Sequence, residues 1–205
     1  MMSGSGQETE VKFYVQDLKR LEAGLRDLDA QRIQLRTLET NIRFDLPDAS
    51  LRAQGQVLRL RQDSAARLTY KSASKKEDGI LSREEIEFVV EDFEKARRFL
   101  EALGYQKWVY YEKYRTTYEL NETLVMLDEL PYGSFIEIEG ENVRSIQAVA
   151  DQLHLKWEAA VATSYVALFE RVRKTLKFSF QDLSFASFTG VNVNATHLGV
   201  TAADD

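Results

Sequence analysis

Apolar and charged positions alternate along most of this 205-residue chain. In QETEVKFYV, Gln7 to Val15, the residues Glu8, Glu10 and Lys12 share one phase and Thr9, Val11 and Phe13 the other. That is the period of a strand with one charged face. The same period recurs in QLRTLETNIRF, QVLRLRQ, ARLTYKS, LSREEIEFVV, KWVYYEKYRTTYEL, TLVMLDEL and SFIEIEG. The last two are joined by PYG, whose Pro131 and Gly133 suit a tight turn, so they predict a hairpin.

Four stretches switch to helical spacing. VQDLKRLEAGLRDLDA places Leu18, Leu21, Leu25 and Leu28 on one face. EDFEKARRFLEALG does the same with Phe93, Ala96, Phe99, Leu100 and Leu103 and stops at Gly104. ENVRSIQAVADQL and SYVALFERVRKTL complete the set. With about eight strands, short turns and at most four helices, the expected fold class is α+β: a closed or nearly closed antiparallel sheet, an eight-stranded β-barrel if fully closed, with helices packed on its outside. Apolar faces would meet the helices, and charged faces would line the middle.

Residues 1–6, MMSGSG, read as a flexible leader, 7–180 as one domain, and 181–205 as a partly ordered tail. Phe178, Phe180, Phe185 and Phe188 are expected to pin the first half of the tail, and the terminal TAADD is expected to fray.

The charged faces carry the candidate chemistry. Arg59 and Arg61 share a face, as do Thr69 and Lys71, then Arg83, Glu85 and Glu87, then Tyr111, Lys113 and Arg115, and finally Phe135, Glu137 and Glu139. With Glu8, Glu10, Lys12 and Asp128 the acids and bases nearly balance. Two readings stay open from this pattern: cross-strand ion pairs on an outer surface, or an interior where carboxylates hold cations and bases hold an oxygen-rich anion. Arginine and lysine from several strands suit phosphates. Carboxylates without histidine or cysteine favour hard cations, Mg²⁺ or Mn²⁺.

Composition narrows the alternatives. The chain has no cysteine, which removes disulfides, thiolate metal sites and cysteine nucleophiles. Its 27 Lys and Arg against 33 Asp and Glu, a net charge of −6, argue against a general nucleic-acid or anionic-membrane binder. Neither a long apolar run nor a signal-type N-terminus is evident, so a cytoplasmic location is expected. A Gly-rich phosphate loop and a nucleophile elbow are also missing, leaving side chains to grip any phosphate.

The ordered series Glu8-x-Glu10-x-Lys12, FDLPDASLRAQGQVLRLR, LTYK, REEIE, EKYR, LDELPYGSFIEIEG and the late-helix SYVALF resembles the CYTH superfamily, the triphosphate tunnel metalloenzymes. The likeness covers Glu8 to about Phe169. It implies a barrel whose tunnel binds a triphosphate with a divalent metal and cleaves or rearranges it. By position it implies Glu8, Glu10, Glu137, Glu139 and Asp128 for the metal. Lys12, Arg59, Arg61, Lys71, Arg83, Lys113 and Arg115 would hold the phosphates, and Lys12, Glu85 and Glu87 would take part in catalysis. The implied partner is a small triphosphate-containing molecule, and the implied state a monomer or homodimer.

The first substrate choice is inorganic tripolyphosphate, hydrolysed. A class IV adenylate cyclase, a thiamine triphosphatase using Trp108, Tyr110 or Trp157 as a stacking surface, and a non-catalytic polyphosphate-binding module remain alternatives. The chain departs from the family at NIRFD, where Arg43 and Phe44 stand, and at Thr163-Ser164 before Tyr165. Its tail finds no counterpart.

Overall fold

A computed structural model describes residues 7–73, 75–77 and 80–205, leaving out the side chains of residues 7, 8, 75–77 and 80–82. The predicted leader lies outside the described residues. Alternation becomes nine strands: β1 (Gln7–Val15), β2 (Gln31–Asp45), β3 (Val57–Gln62), β4 (Ala66–Lys71), β5 (Lys75–Glu77), β6 (Ile80–Val90), β7 (Gln106–Leu120), β8 (Thr123–Leu130) and β9 (Gly133–Glu139). They lie in the order β1-β9-β8-β7-β2-β3-β4-β6-β5.

β1 brings this antiparallel row back on itself. Its residues Glu10 to Val15 pair with β9, and Gln7 to Glu10 pair with β6. Eight strands therefore surround an interior, as the alternation predicts. The seam between β1 and β6 is four residue pairs long, so the sheet is joined at one end and not closed along its length. The ninth strand, β5, is a three-residue addition to β6 that the sequence did not mark.

The four helical stretches form α1 (Leu18–Asp27), α3 (Phe93–Ala102), α4 (Val143–Gln152) and α5 (Tyr165–Leu176), and two four-residue helices add α2 (Ser50–Ala53) and α6 (Ala195–Leu198). Each longer helix starts where a polar side chain can accept from a free backbone N–H: Asp17, Asp92, Asn142 and Ser164 do so. Among the described residues, no helix is long and apolar enough to cross a membrane.

Apolar faces point outward onto these helices. Val11, Phe13, Val125, Leu127, Ile136 and Ile138 of β1, β8 and β9 pack with Leu21 and Leu25 of α1 and Ile146 and Val149 of α4. Ile42, Phe44, Leu58 and Leu60 pack on Leu100 of α3. A third cluster joins α5, through Val166, Leu168 and Phe169, to Phe135 and to Leu183, Phe188 and Leu198 of the tail. Burial of these faces leaves the opposite, charged phase for the interior.

The tail is attached at both ends. The rings of Phe178 and Phe180 stack at 4.0 Å, and Phe188 meets both edge-on. Leu183 donates from its N–H to the Tyr110 carbonyl and accepts from the Glu112 N–H. The terminal TAADD does not fray as expected: Ala203 N–H donates to the Tyr14 carbonyl at 2.9 Å, and the buried Asp204 carboxylate accepts from the Gln16 and Asp17 N–H groups at 2.9 Å each. Backbone donors left free where β1 ends give that segment its anchor.

Candidate functional site

The interior faces bring together residues far apart in sequence. Lys12 on β1 lies opposite Glu137 on β9, and Glu10 opposite Glu139. Arg59 and Arg61 of β3 face Thr69 and Arg67 of β4, whose Thr69 and Lys71 in turn face Glu87 and Glu85 of β6. Arg115 of β7 faces Asp128 of β8. Together these faces wall a cavity of about 690 Å³.

Twelve of the fourteen predicted site residues line that cavity: Glu10, Lys12, Arg59, Arg61, Lys71, Arg83, Glu85, Glu87, Lys113, Arg115, Glu137 and Glu139. The side chain of Glu8 lies outside the described residues, although its backbone pairs with that of Arg83. Asp128 is on the predicted inward face but behind the lining. It is fully buried and accepts from Lys113 Nζ at 2.9 Å, from Arg115 Nε at 2.6 Å and from the Tyr165 hydroxyl at 2.8 Å. With its oxygens engaged by these donors, it reads as the anchor of a cationic pair, where the resemblance implied a metal ligand.

Charge in the cavity is unbalanced. Among the described residues, nine lysine and arginine side chains line it against five glutamates, in a protein whose overall charge is −6. Three of the guanidiniums, those of Arg43, Arg59 and Arg61, each bury an Nε–H that has no hydrogen-bond acceptor. A buried donor without an acceptor costs on the order of 1–3 kcal/mol.

The acids hold positions beside these bases. Glu87 accepts from Arg61 Nη2 at 2.8 Å and from the Thr69 hydroxyl at 2.7 Å, and Lys71 Nζ lies 3.0 Å from Glu85. Glu137 forms an ion pair with Lys12 at 2.9 Å and another with Arg115. Glu10 and Glu139 are direct cross-strand neighbours, and Arg83 lies 3.9 Å from Glu10; a bound cation would further offset the two like charges. All these donors are oxygens, which suits Mg²⁺ or Mn²⁺. Among the described residues no group of three acidic or histidine side chains is already gathered as a metal cage. The fit thus rests on Glu10 and Glu139, which leave room for water and phosphate oxygens as Mg²⁺ requires.

Protonation states follow from these contacts. Burial by itself would favour neutral Lys12, but Glu137 and Glu10 outweigh it and raise its pKa above the ordinary lysine value. Burial likewise opposes charge on Glu137, yet Lys12, Arg115 and Lys113 hold it well below the carboxylate range. Glu87 is also lowered, chiefly by Arg61 and the Thr69 hydroxyl against the effect of burial. These three groups are charged at neutral pH.

Sequence reasoning missed Glu39 of β2. Its side chain is 1% exposed and sits 3.6 Å from Lys113 Nζ, 3.8 Å from Arg61 and 4.0 Å from Arg115. Burial would raise its pKa, but these cations bring it down to about 2. The phase it shares with Asn41 and Arg43 was the available signal. Tyr165 was noted in the sequence only as part of the late helix. It caps the network: its ring lies 4.2 Å from Lys12 Nζ while its hydroxyl holds Asp128.

Residues 6–165 match the CYTH domain family. The chain belongs to that family. A protein of Methanocaldococcus jannaschii named "putative adenylate cyclase" is 30% identical over 135 residues, 64% of this chain and 75% of its own length. The fold is shared with a Vibrio parahaemolyticus structure of the same printed name, with a TM-score of 0.72 at 20% identity over 81% of this chain and 99% of that one. A Hippeastrum structure described as a "putative adenylyl cyclase" with a dominant triphosphatase activity aligns with a TM-score of 0.60 at 17% identity, over 80% of this CYTH chain and 95% of its own.

Proposed function

We propose that this CYTH protein binds a triphosphate together with Mg²⁺ or Mn²⁺ in the barrel cavity and hydrolyses it, with inorganic tripolyphosphate the preferred substrate. The observation that carries this reading is the lining of the cavity, where among the described residues nine lysine and arginine side chains meet five glutamates. Arg59, Arg61, Lys71, Arg83, Lys113 and Arg115 reach it from four strands and are the phosphate ligands. Such a side-chain cradle is preorganised, so it stabilises charge in the transition state with little rearrangement.

Glu10 and Glu139 would hold the cation, while the two oxygens of Glu137 are engaged by Lys12 and Arg115. When bound, it neutralises charge on the phosphate oxygens and favours in-line displacement. Lys12 stays protonated and acts as a fixed positive charge at the phosphate, not as a base. Glu87 keeps Arg61 and Arg59 oriented. Glu85 on the same face is the carboxylate assigned to take the proton of the attacking water as the phosphoanhydride bond breaks.

The named relatives support a second reading, cyclisation of ATP with release of pyrophosphate. Incubating the protein with tripolyphosphate, ATP or thiamine triphosphate under Mg²⁺ or Mn²⁺, and identifying the products, separates the two. Orthophosphate from tripolyphosphate is the expected result. Cyclic AMP from ATP would replace this reading, and tight binding without turnover would leave a binding module.

A further inference from the structure

Arg43 is the residue of NIRFD that the family resemblance left without a role. Inward phase on β2 places it directly opposite Arg59 of β3, and its guanidinium lines the cavity. No carboxylate of the described residues comes within ion-pairing distance of it. Its Nε–H is one of the three buried donors without an acceptor. A half-buried arginine with a second arginine as cross-strand neighbour and no carboxylate within ion-pairing distance among the described residues is a costly arrangement that an anion in the cavity would relieve.

The neighbouring structure keeps it there. A register shift between β2 and β7 pairs Arg43 with Val109 but Phe44 with Lys107, so Trp108 is the extra residue of a β-bulge. Bulges turn a side chain out of the regular pattern, and this one directs Trp108 to the cavity wall. The ring has Arg43 Cζ at 4.9 Å and Arg52 Cζ at 5.0 Å. Arg52 is further held near Asp45, at 3.6 Å. Two guanidiniums thus already occupy the aromatic surface on which a nucleobase or thiazole would have to stack.

We propose that Arg43, with Arg59 opposite and Arg52 beside it on Trp108, forms an additional anion subsite for the second end of a linear oligophosphate, the end that carries the ester in ATP or thiamine triphosphate. This rests on the triphosphate reading above and deepens it. When unesterified, that end phosphate offers three free oxygens to the two facing guanidinium forks, whereas the same phosphate carrying an organic ester offers two and less charge. Burial, with Arg59 and Arg83, outweighs the opposing effect of Tyr111 and Asp45 and brings the Arg43 pKa down to about 10. The substrate class favoured is linear inorganic oligophosphate over nucleoside or thiamine triphosphate.

The test uses Trp108 as reporter. The chain has two tryptophans, so Trp157→Phe leaves Trp108 as the sole emitter. In that background, non-hydrolysable imido analogues of tripolyphosphate and of ATP are titrated with Mg²⁺ present, with and without Arg43→Gln. Expected is a change in Trp108 emission on binding, affinity for the tripolyphosphate analogue falling about tenfold or more in Arg43→Gln, and affinity for the ATP analogue falling less than threefold. Equal loss for both analogues, or none for either, overturns the subsite while leaving the triphosphate cavity standing. Failure of the parent protein to bind either analogue, by emission and by calorimetry, overturns both.

Discussion

Glu10 on β1 and Glu139 on β9 are direct cross-strand partners, and both belong to the wall of one cavity. Like charges so placed repel by a few tenths of a kcal/mol or more, a repulsion that Arg83, 3.9 Å from Glu10, reduces and a bound cation would reduce further. Glu10→Gln should therefore fold as well as the parent without metal, within about 1 kcal/mol, and lose the rise in melting temperature that Mg²⁺ or Mn²⁺ gives. Phosphate release from tripolyphosphate should drop roughly a hundredfold or more. Full turnover together with an unchanged response to metal would remove Glu10 from the proposed metal site.

Asp128 should behave in the opposite way. Its carboxylate is completely buried among Lys113, Arg115 and Tyr165. Asp128→Asn leaves two buried cations undercompensated and is expected to cost about 3 kcal/mol or more of stability. Because the loss is structural, denaturant unfolding should show it equally with and without Mg²⁺. A loss seen only with the metal present would restore Asp128 as a ligand.

Glu39 sets an acid limit. Its folded pKa of about 2 lies below the ordinary carboxylate value, so its contribution is complete above about pH 5 and is lost as pH falls toward 2. The shift corresponds to about 3 kcal/mol. Between pH 5 and pH 2 the parent should lose more unfolding free energy than Glu39→Gln by an amount of this order, measured in urea. Parallel pH profiles for the two proteins would refute the assignment.

The carboxylate of Asp204 accepts from Gln16 and Asp17 at the start of α1. Asp204→Ala should lower stability by about 1–2 kcal/mol, and the amide protons of Gln16 and Asp17 should exchange faster with solvent. Unaltered exchange at both would show the tail end to be dispensable.

Much of this was legible from alternation, because a strand with one apolar and one charged face can bury only the first against helices. The inward phases of β1, β3, β4, β6, β7 and β9 were read directly, and with them twelve cavity residues. β2 resisted for a physical reason. Register shifts between Arg32 and Gln34 and between Gln34 and Thr37 interrupt its period, and Ile33, Leu35 and Leu38 are exposed. Apolar positions therefore did not mark the outer face, and Glu39 and Arg43 lost their signal.

Asp128 shows a different limit. Phase puts a carboxylate on the inner face but does not say whether lysine, arginine or a cation meets it. The terminal TAADD shows a third: its anchors are backbone groups of Tyr14, Gln16 and Asp17, at the far end of the chain, and nothing local announces them.

The divided pairing of β1 also bears on how the chain folds. Its first half waits for β6 and its second half for β9, so Glu10 cannot acquire both neighbours until Glu139 has been synthesised. Contacts this distant in sequence form slowly. The strand made first is thus among the last to be fixed, and the proposed cation site is assembled only when the barrel is joined.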